Sequence, residues 1–167
     1  ETMGDPEVLV NSAGVGSWRF LSETDPGEAE YIMAVTYGGA YNLARAFVPA
    51  MLEANEGHIV TVLSPASFAP VPGATAYNAA RYALRGLDES LAVDLTSTGV
   101  GVTGVVPGKV ETEYFERNEN VEERIPLFAR LLRSLEPEEV ADRVLEGIRS
   151  EQRRVVTPTE LRLPIAA

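Results

Sequence analysis

The chain has 167 residues, enough for one domain able to bury about 70% of the surface its unfolded form exposes. Hydrophobic residues make up 45% and charged residues 23%, as in ordinary globular proteins, so disorder is not expected. A net charge of −11 and a pI near 4.6 disfavour binding to nucleic acid or to an anionic membrane surface. The absence of cysteine excludes disulfides, thiolate chemistry and zinc–cysteine sites, and the single histidine, His58, excludes a histidine-rich metal site. No apolar run approaches the roughly 18 residues needed to span a bilayer. No signal-peptide pattern opens the stretch, so a cytoplasmic location is expected.

Val8-Leu9-Val10 reads as a short strand apolar on both faces, like a buried parallel strand. Asp25, Pro26 and Glu28 then form a capping-box start. Ile32, Val35, Gly39, Leu43, Phe47 and Met51 recur at helical spacing, giving a helix over about 26–51. Ile59 to Leu63 is a second strand, with His58 read as a solvated turn residue before it. A loop rich in Pro, Ala and Gly runs from Ser64 to Thr75. It leads into a helix from Tyr77 to about Leu95 whose one face holds Ala80, Leu84, Leu87, Leu91 and Leu95.

Val102 to Val106 is a third strand, stopped by Pro107-Gly108. Residues 112–134 read as irregular or short helical segments. Pro137 opens a helix with Val140, Val144 and Ile148 in register, and Arg154 to Thr157 is a fourth strand. Arg130, Arg133, Arg153 and Arg154 read as parts of solvated faces. This alternation predicts one α/β domain over 1–167, a three-layer, doubly wound parallel sheet with right-handed crossovers.

Ligands of open α/β sheets bind beyond the carboxyl ends of the strands. Asn11-Ser12-Ala13-Gly14, Ser64 and the run from Pro107 to Thr112 follow strands there. Tyr77 and Arg81 are four apart, on one helix face. A hydroxyl, a phenol and a cation would then converge. That set suits alcohol–carbonyl interconversion: the phenol exchanges a proton with the substrate oxygen, the cation favours phenolate, and the serine hydroxyl bonds the oxygen as charge develops.

These segments resemble the short-chain dehydrogenase/reductase family over nearly the whole chain. Asn11-Ser12-Ala13-Gly14 is similar to its Asn-Asn-Ala-Gly turn. Ser64 falls where the catalytic Ser stands, Tyr77 falls on the Tyr of Tyr-x-x-x-Lys, and Pro107-Gly108-x-Val110-x-Thr112 resembles the segment whose Val and Thr hold the nicotinamide carboxamide. The resemblance implies a Rossmann-like fold, NAD or NADP as cofactor and a small alcohol or ketone as substrate. Tyr77 would be acid/base, Ser64 would orient the carbonyl, and Asn11, Ala13, Gly14, Tyr77, Arg81, Pro107, Gly108, Val110 and Thr112 would contact the cofactor. It also implies a homo-oligomer paired through the helices at about 26–51 and 76–97, where Gly39 and Gly86 would permit close approach.

Three features depart from the family pattern. Arg81 replaces the Lys, and a planar guanidinium is not equivalent to a compact ammonium. Thr36 occupies the place of an Asn that supports a proton relay. No glycine-rich dinucleotide loop is present, since Arg19 occupies the third glycine position after Gly14 and Gly16. The chain therefore reads as the C-terminal part of a longer protein whose strand at Val8–Val10 is interior to a larger sheet. A naturally shortened protein is the alternative to that reading, and a catalytically impaired binding or scaffold protein on the same fold is the alternative function. Trp18 and Tyr114 read equally as cleft lining or as packing, and Asn11 as a tie between strands.

Overall fold

The computed structural model describes residues 6–116, 118 and 121–162. Four strands, β1 (Val8–Asn11), β2 (Gly57–Val62), β3 (Val100–Pro107) and β4 (Arg154–Thr157), pair in parallel in the order β1-β2-β3-β4. Such strands need long crossovers, and helices supply them: α1 (Glu28–Met33), α2 (Gly39–Ala54), α3 (Thr75–Asp94) and α7 (Pro137–Arg149). Three single-turn helices, α4 (Glu113–Glu116), α5 (Val121–Arg124) and α6 (Leu127–Arg130), lie on the connection between β3 and β4.

Strand alternation sets the layers. Leu9, Ile59 and Val100 point toward α2 and α3, where they pack with Met51 and Leu95. Val60, Val105 and Val155 point the other way, against Val144 and Ile148 of α7. The crossovers from β1 to β2 and from β2 to β3 therefore lie on one face, and the one from β3 to β4 lies on the opposite face. Since all three step across the sheet in the same direction, the last has the opposite hand. This corrects the expectation of uniformly right-handed crossovers. Its connection is not a tight strand–helix–strand unit, because the chain first passes over the end of the sheet through α4–α6.

The two-faced burial expected of β1 holds on one face only. Leu9 is buried, whereas Val8 and Val10 are 42% and 45% exposed, because α7 lies over β2–β4 and does not reach β1. The capping box at Asp25 is half formed. Glu28 accepts from the Asp25 N–H at 3.1 Å, but the Asp25 carboxylate pairs with Arg19 and the helix starts at Glu28. Between α1 and α2 the helix widens to π geometry over Ala34–Gly38, with Gly39 N–H donating to the Ala34 carbonyl. Widened turns of this kind re-aim a side chain, and here the buried one is Thr36.

His58 is not a solvated turn residue. It lies in β2, 8% exposed, and its Nε2 is 2.8 Å from Thr103 Oγ1, which donates in turn to the Gln152 carbonyl at 2.7 Å. The imidazole therefore donates. Burial pushes its pKa below the usual value, opposed by Glu151. A lowered folded-state pKa leaves the unfolded chain binding the proton first, so stability falls as pH drops from about 6.5 through the folded value. We expect melts between pH 7 and pH 5 to show a loss of stability that His58→Gln, which keeps a donor, reduces. An identical pH slope in both proteins would contradict this.

Arg153 and Arg154 do not sit on a solvated face. The Asp88 carboxylate of α3 is fully buried and pairs with Arg153 at 2.7 Å and Arg154 at 3.7 Å. Gly104 makes room for it, since a Cβ there would lie 2.9 Å from Asp88 Oδ2. Among the described residues no helix is long and apolar enough to cross a membrane, and no cluster of three His, Asp or Glu could hold a metal ion.

Candidate active site

The carboxyl ends of β1 and β2 and the start of α3 meet at one place. Ser64 follows β2 and caps the short 3-10 turn Pro65–Ser67, its Oγ accepting from the Ala66 N–H at 3.2 Å. Tyr77 lies in the first turn of α3. A paired bond across the loop, Asn78 Nδ2 to the Val71 carbonyl at 2.9 Å and Val71 N–H to Asn78 Oδ1 at 3.3 Å, fixes that turn. The Tyr77 hydroxyl then donates to Ser64 Oγ at 3.2 Å. The serine loop is held from behind. Phe68 lies between the guanidinium groups of Arg85 and Arg154, at 4.2 and 4.9 Å, and Arg85 donates to the Ser67 carbonyl at 3.2 Å.

Arg81, one turn along α3, brings its guanidinium carbon to 5.1 Å from the centre of the Tyr77 ring. Its Nη1 donates to the Val62 carbonyl at 3.2 Å, while Nε is buried without a partner among the described residues. Gly14 lies directly under this head group, where a Cβ would stand 2.7 Å from Arg81 Nη2. The cation thus lies over the ring face, sandwiched between Tyr77 and the turn after β1. Thr36 points to the same turn, its Oγ1 3.5 Å from the Val15 N–H, a long contact. Asn11 ends β1 with its side chain buried and both amide atoms unpartnered among the described residues, so no strand tie is made.

The predicted residues beyond β3 divide. Pro107 is the last residue of β3, and the Gly108 N–H donates to the Thr157 carbonyl at 2.7 Å, so this pair is anchored to β4. Val110 bridges to Leu135, and Thr112 is exposed. Ala13 is also exposed. Ser64, Tyr77, Arg81 and Gly14 therefore gather at one place, with Thr36 reaching the turn after β1, while Pro107 and Gly108 are held against β4.

An aromatic wall closes over the phenol, leaving Tyr77 only 6% exposed. Trp18 stacks on Tyr77 with centroids 5.9 Å apart, and Tyr114 lies tilted at 6.3 Å. The Trp18 Nε1–H donates to the Tyr114 hydroxyl at 3.0 Å. Burial, with Tyr77 beside it, pushes the Tyr114 phenol far above its ordinary pKa, so it stays neutral. Arg124 fastens the wall by donating to the carbonyls of Trp18 and of Gly73, the latter at 2.9 Å. Nothing in the sequence marks Arg124 for this, because its partners lie 106 and 51 positions away.

A model of the short chain dehydrogenase family matches residues 1–123. The chain belongs to the short-chain dehydrogenase family. Estradiol 17-beta-dehydrogenase 11 of Homo sapiens is 33% identical over 162 residues, covering 95% of this chain and 51% of that protein. Probable oxidoreductase EphD of Mycobacterium tuberculosis is 33% identical over 164 residues, 89% of this chain and 27% of its own length. This member of the family thus spans about half the length of the estradiol relative. Among solved structures, a short-chain dehydrogenase/reductase from Burkholderia phymatum in complex with NAD superposes with a TM-score of 0.80 at 26% identity, over 96% of this chain and 64% of that one. A short-chain dehydrogenase from Sphingobium yanoikuyae in complex with NADPH gives 0.77 at 26% identity, over 92% and 57%. The parallel sheet with helices on both faces is the Rossmann arrangement these neighbours share.

Proposed function

We propose that this chain carries the proton-transfer side of an NAD(P)-dependent dehydrogenase that interconverts an alcohol and a carbonyl. The 3.2 Å bond between the Tyr77 phenol and Ser64 Oγ, with a guanidinium over the same ring, carries this reading. In oxidation, Tyr77 takes the proton of the substrate hydroxyl while Ser64 donates to the substrate oxygen. In reduction, Tyr77 returns the proton. The Arg81 head group, braced by the Val62 carbonyl and the bare backbone of Gly14, lies over the ring and fixes it. The nicotinamide, when bound, supplies or accepts the hydride.

The residues present suit the nicotinamide end of such a cofactor. The unpartnered amide of Asn11 and Nε of Arg81 lie beside the bare backbone of Gly14 at the end of β1. Ala13, Pro107, Gly108, Val110 and Thr112, which follow β1 and β3 in the chain, would complete the contacts to the cofactor. The choice between NAD and NADP belongs to groups that contact the adenosine ribose.

A cytoplasmic location and a homo-oligomer are parts of the same proposal. Tyr31, Tyr41 and Tyr82 are exposed on α1–α3, and a Cβ added at Gly39 or Gly86 meets nothing within 4 Å, so this face has room for a partner. A single monomeric species in sedimentation would contradict the oligomer.

Nucleotide titration of the intact polypeptide tests the reading against a non-catalytic scaffold. Saturable binding of NADH or NADPH with turnover of a ketone is expected, and neither would appear in a scaffold. Arg81→Lys, which puts a compact ammonium behind the phenol, should raise kcat by about tenfold, roughly 1.4 kcal/mol of transition-state stabilisation. An unchanged kcat would show that the guanidinium is not what limits the site.

A further inference from the structure

Helix α3 carries Tyr77 in its first turn, and about two turns further along a second set of its side chains reaches the loop that carries Ser64. Ser64 leaves β2 into the 3-10 turn Pro65–Ser67, and so short a turn holds its own geometry poorly. Its support comes from Ser67 and Phe68. Ser67 is fully buried, and its Oγ accepts from the Ser64 N–H at 3.3 Å. The Ser67 carbonyl accepts from Arg85 Nη1 at 3.2 Å, and the Phe68 carbonyl accepts from the Tyr82 hydroxyl at 2.9 Å. The Phe68 ring lies between the guanidinium groups of Arg85 and Arg154. Both arginines donate to one carboxylate oxygen, Glu89 Oε1, at 2.8 and 3.4 Å.

An ordinary surface pair between Arg85 and Glu89 at i,i+4 does not account for this arrangement. Such a pair adds little by itself and needs neither a backbone carbonyl nor a ring. Arg85 uses three parts of its head group at once: Nε on Glu89, Nη1 on Ser67 and the planar face on Phe68. A lysine ammonium has the charge but neither the plane nor the fixed fork. The bond from Arg85 holds the Glu89 carboxyl below its usual pKa, so this anchor stays charged. A reacting hydroxyl must be placed closely, because a displacement of about 1 Å can cost on the order of 10²-fold in rate.

We infer that Arg85 is a positioning residue for Ser64, assisted by Arg154 from β4, with Phe68 as the ring that both grip. Tyr77 and Arg85 stand on one helix, so α3 sets the distance between the phenol and the serine hydroxyl from both partners. The inference rests on the dehydrogenase reading for what Ser64 does, and goes beyond it by naming what holds Ser64 in place. Arg85 acts only through the loop.

Single-turnover hydride transfer in the intact polypeptide tests this, with Arg85→Ala and Arg85→Lys each made in the parent and in Ser64→Ala. In the parent background Arg85→Ala should slow transfer about tenfold, with nucleotide binding unchanged. Arg85→Lys should be nearly as slow, since it restores the charge and not the fork. Glu89→Gln, which releases the guanidinium without removing it, should show the same pattern at a smaller factor and keeps the test available if an Arg85 variant does not fold. In the Ser64→Ala background none of these should slow transfer further, because a residue acting through the serine has nothing left to position. A purely structural arginine would cost the same factor in both backgrounds. That result, or a parent-background rate within about twofold of the parent, would overturn the inference. Amide exchange gives a readout that needs no turnover. The Ala66 and Phe68 amides, which donate to Ser64 Oγ and to the Pro65 carbonyl, should exchange faster in Arg85→Ala while those of β2 do not. Unchanged exchange at both would overturn the inference whatever the rates. Faster exchange in a protein that turns over no ketone leaves the hold on the serine loop standing and removes the dehydrogenase reading.

Discussion

Tyr77→Phe in the intact polypeptide should lower kcat by about 10²–10⁴-fold, the range for losing a positioned acid/base. Nucleotide binding should be nearly unchanged. The phenylalanine ring keeps the stacking on Trp18 and the position over which Arg81 lies, so the variant removes one oxygen and little else. That oxygen makes the 3.2 Å bond to Ser64 and, in the proposed mechanism, exchanges a proton with substrate. KM should change far less than kcat, because the lost interaction matters most as the proton moves. Steady-state kinetics in both directions make the check. A variant that turns over within a few-fold of the parent would remove Tyr77 from the chemistry.

The second large effect falls on stability. Asp88→Ala should cost about 2–4 kcal/mol, below the full range for breaking a buried pair because Arg153 is partly exposed. The variant leaves Arg153, whose Nη1 is already buried and unpartnered among the described residues, without its carboxylate. It also loosens α3 from β4. Thermal or urea unfolding reads the loss, and a cost under about 0.5 kcal/mol, typical of an ordinary surface change, would contradict it. Asp88→Asn should cost less. Burial pushes the Asp88 carboxyl above its usual pKa, with Arg153, Arg154 and Thr61 opposing, so a neutral amide of the same shape relieves part of the penalty. A raised folded-state pKa means that the folded protein holds this proton more tightly. Between the unfolded and folded values this group therefore makes stability fall as pH rises, and Asp88→Asn removes that slope.

Local pattern carried much of the fold and the centre of the site. Arg154–Thr157 is legible as a strand because Val155 and Val156 stand alone between a charged turn and a proline. Tyr77 and Arg81 are legible as neighbours because helical spacing alone brings i and i+4 together, and the structure places them so. What pattern missed depends on contacts remote in sequence. Asp88 sits among the polar positions of an amphipathic helix, and its partner Arg153 is 65 residues away. Trp18 and Tyr114 are 96 residues apart, so the choice between packing and cleft lining could not be made from either alone. The π segment at Ala34–Gly38 inserts within a helical repeat that reads as continuous, yet it is what turns Thr36 inward. His58 looked like a turn residue because Gly57 precedes it, but β2 begins at that glycine, and the register pairs Gly57 with Val100 and His58 with Gly101. The hand of the last crossover was likewise hidden, since it depends on the path of α4–α6 and not on the period of any element.

In the proposed mechanism Ser64 and Tyr77 work as one unit through their shared hydrogen bond. Single-turnover hydride transfer in the parent, Ser64→Ala, Tyr77→Phe and the double variant measures this most directly. Residues acting as a unit are strongly non-additive, so the double variant should be about as slow as the slower single variant. Penalties that multiply, each residue costing the same whether or not the other is present, would contradict it.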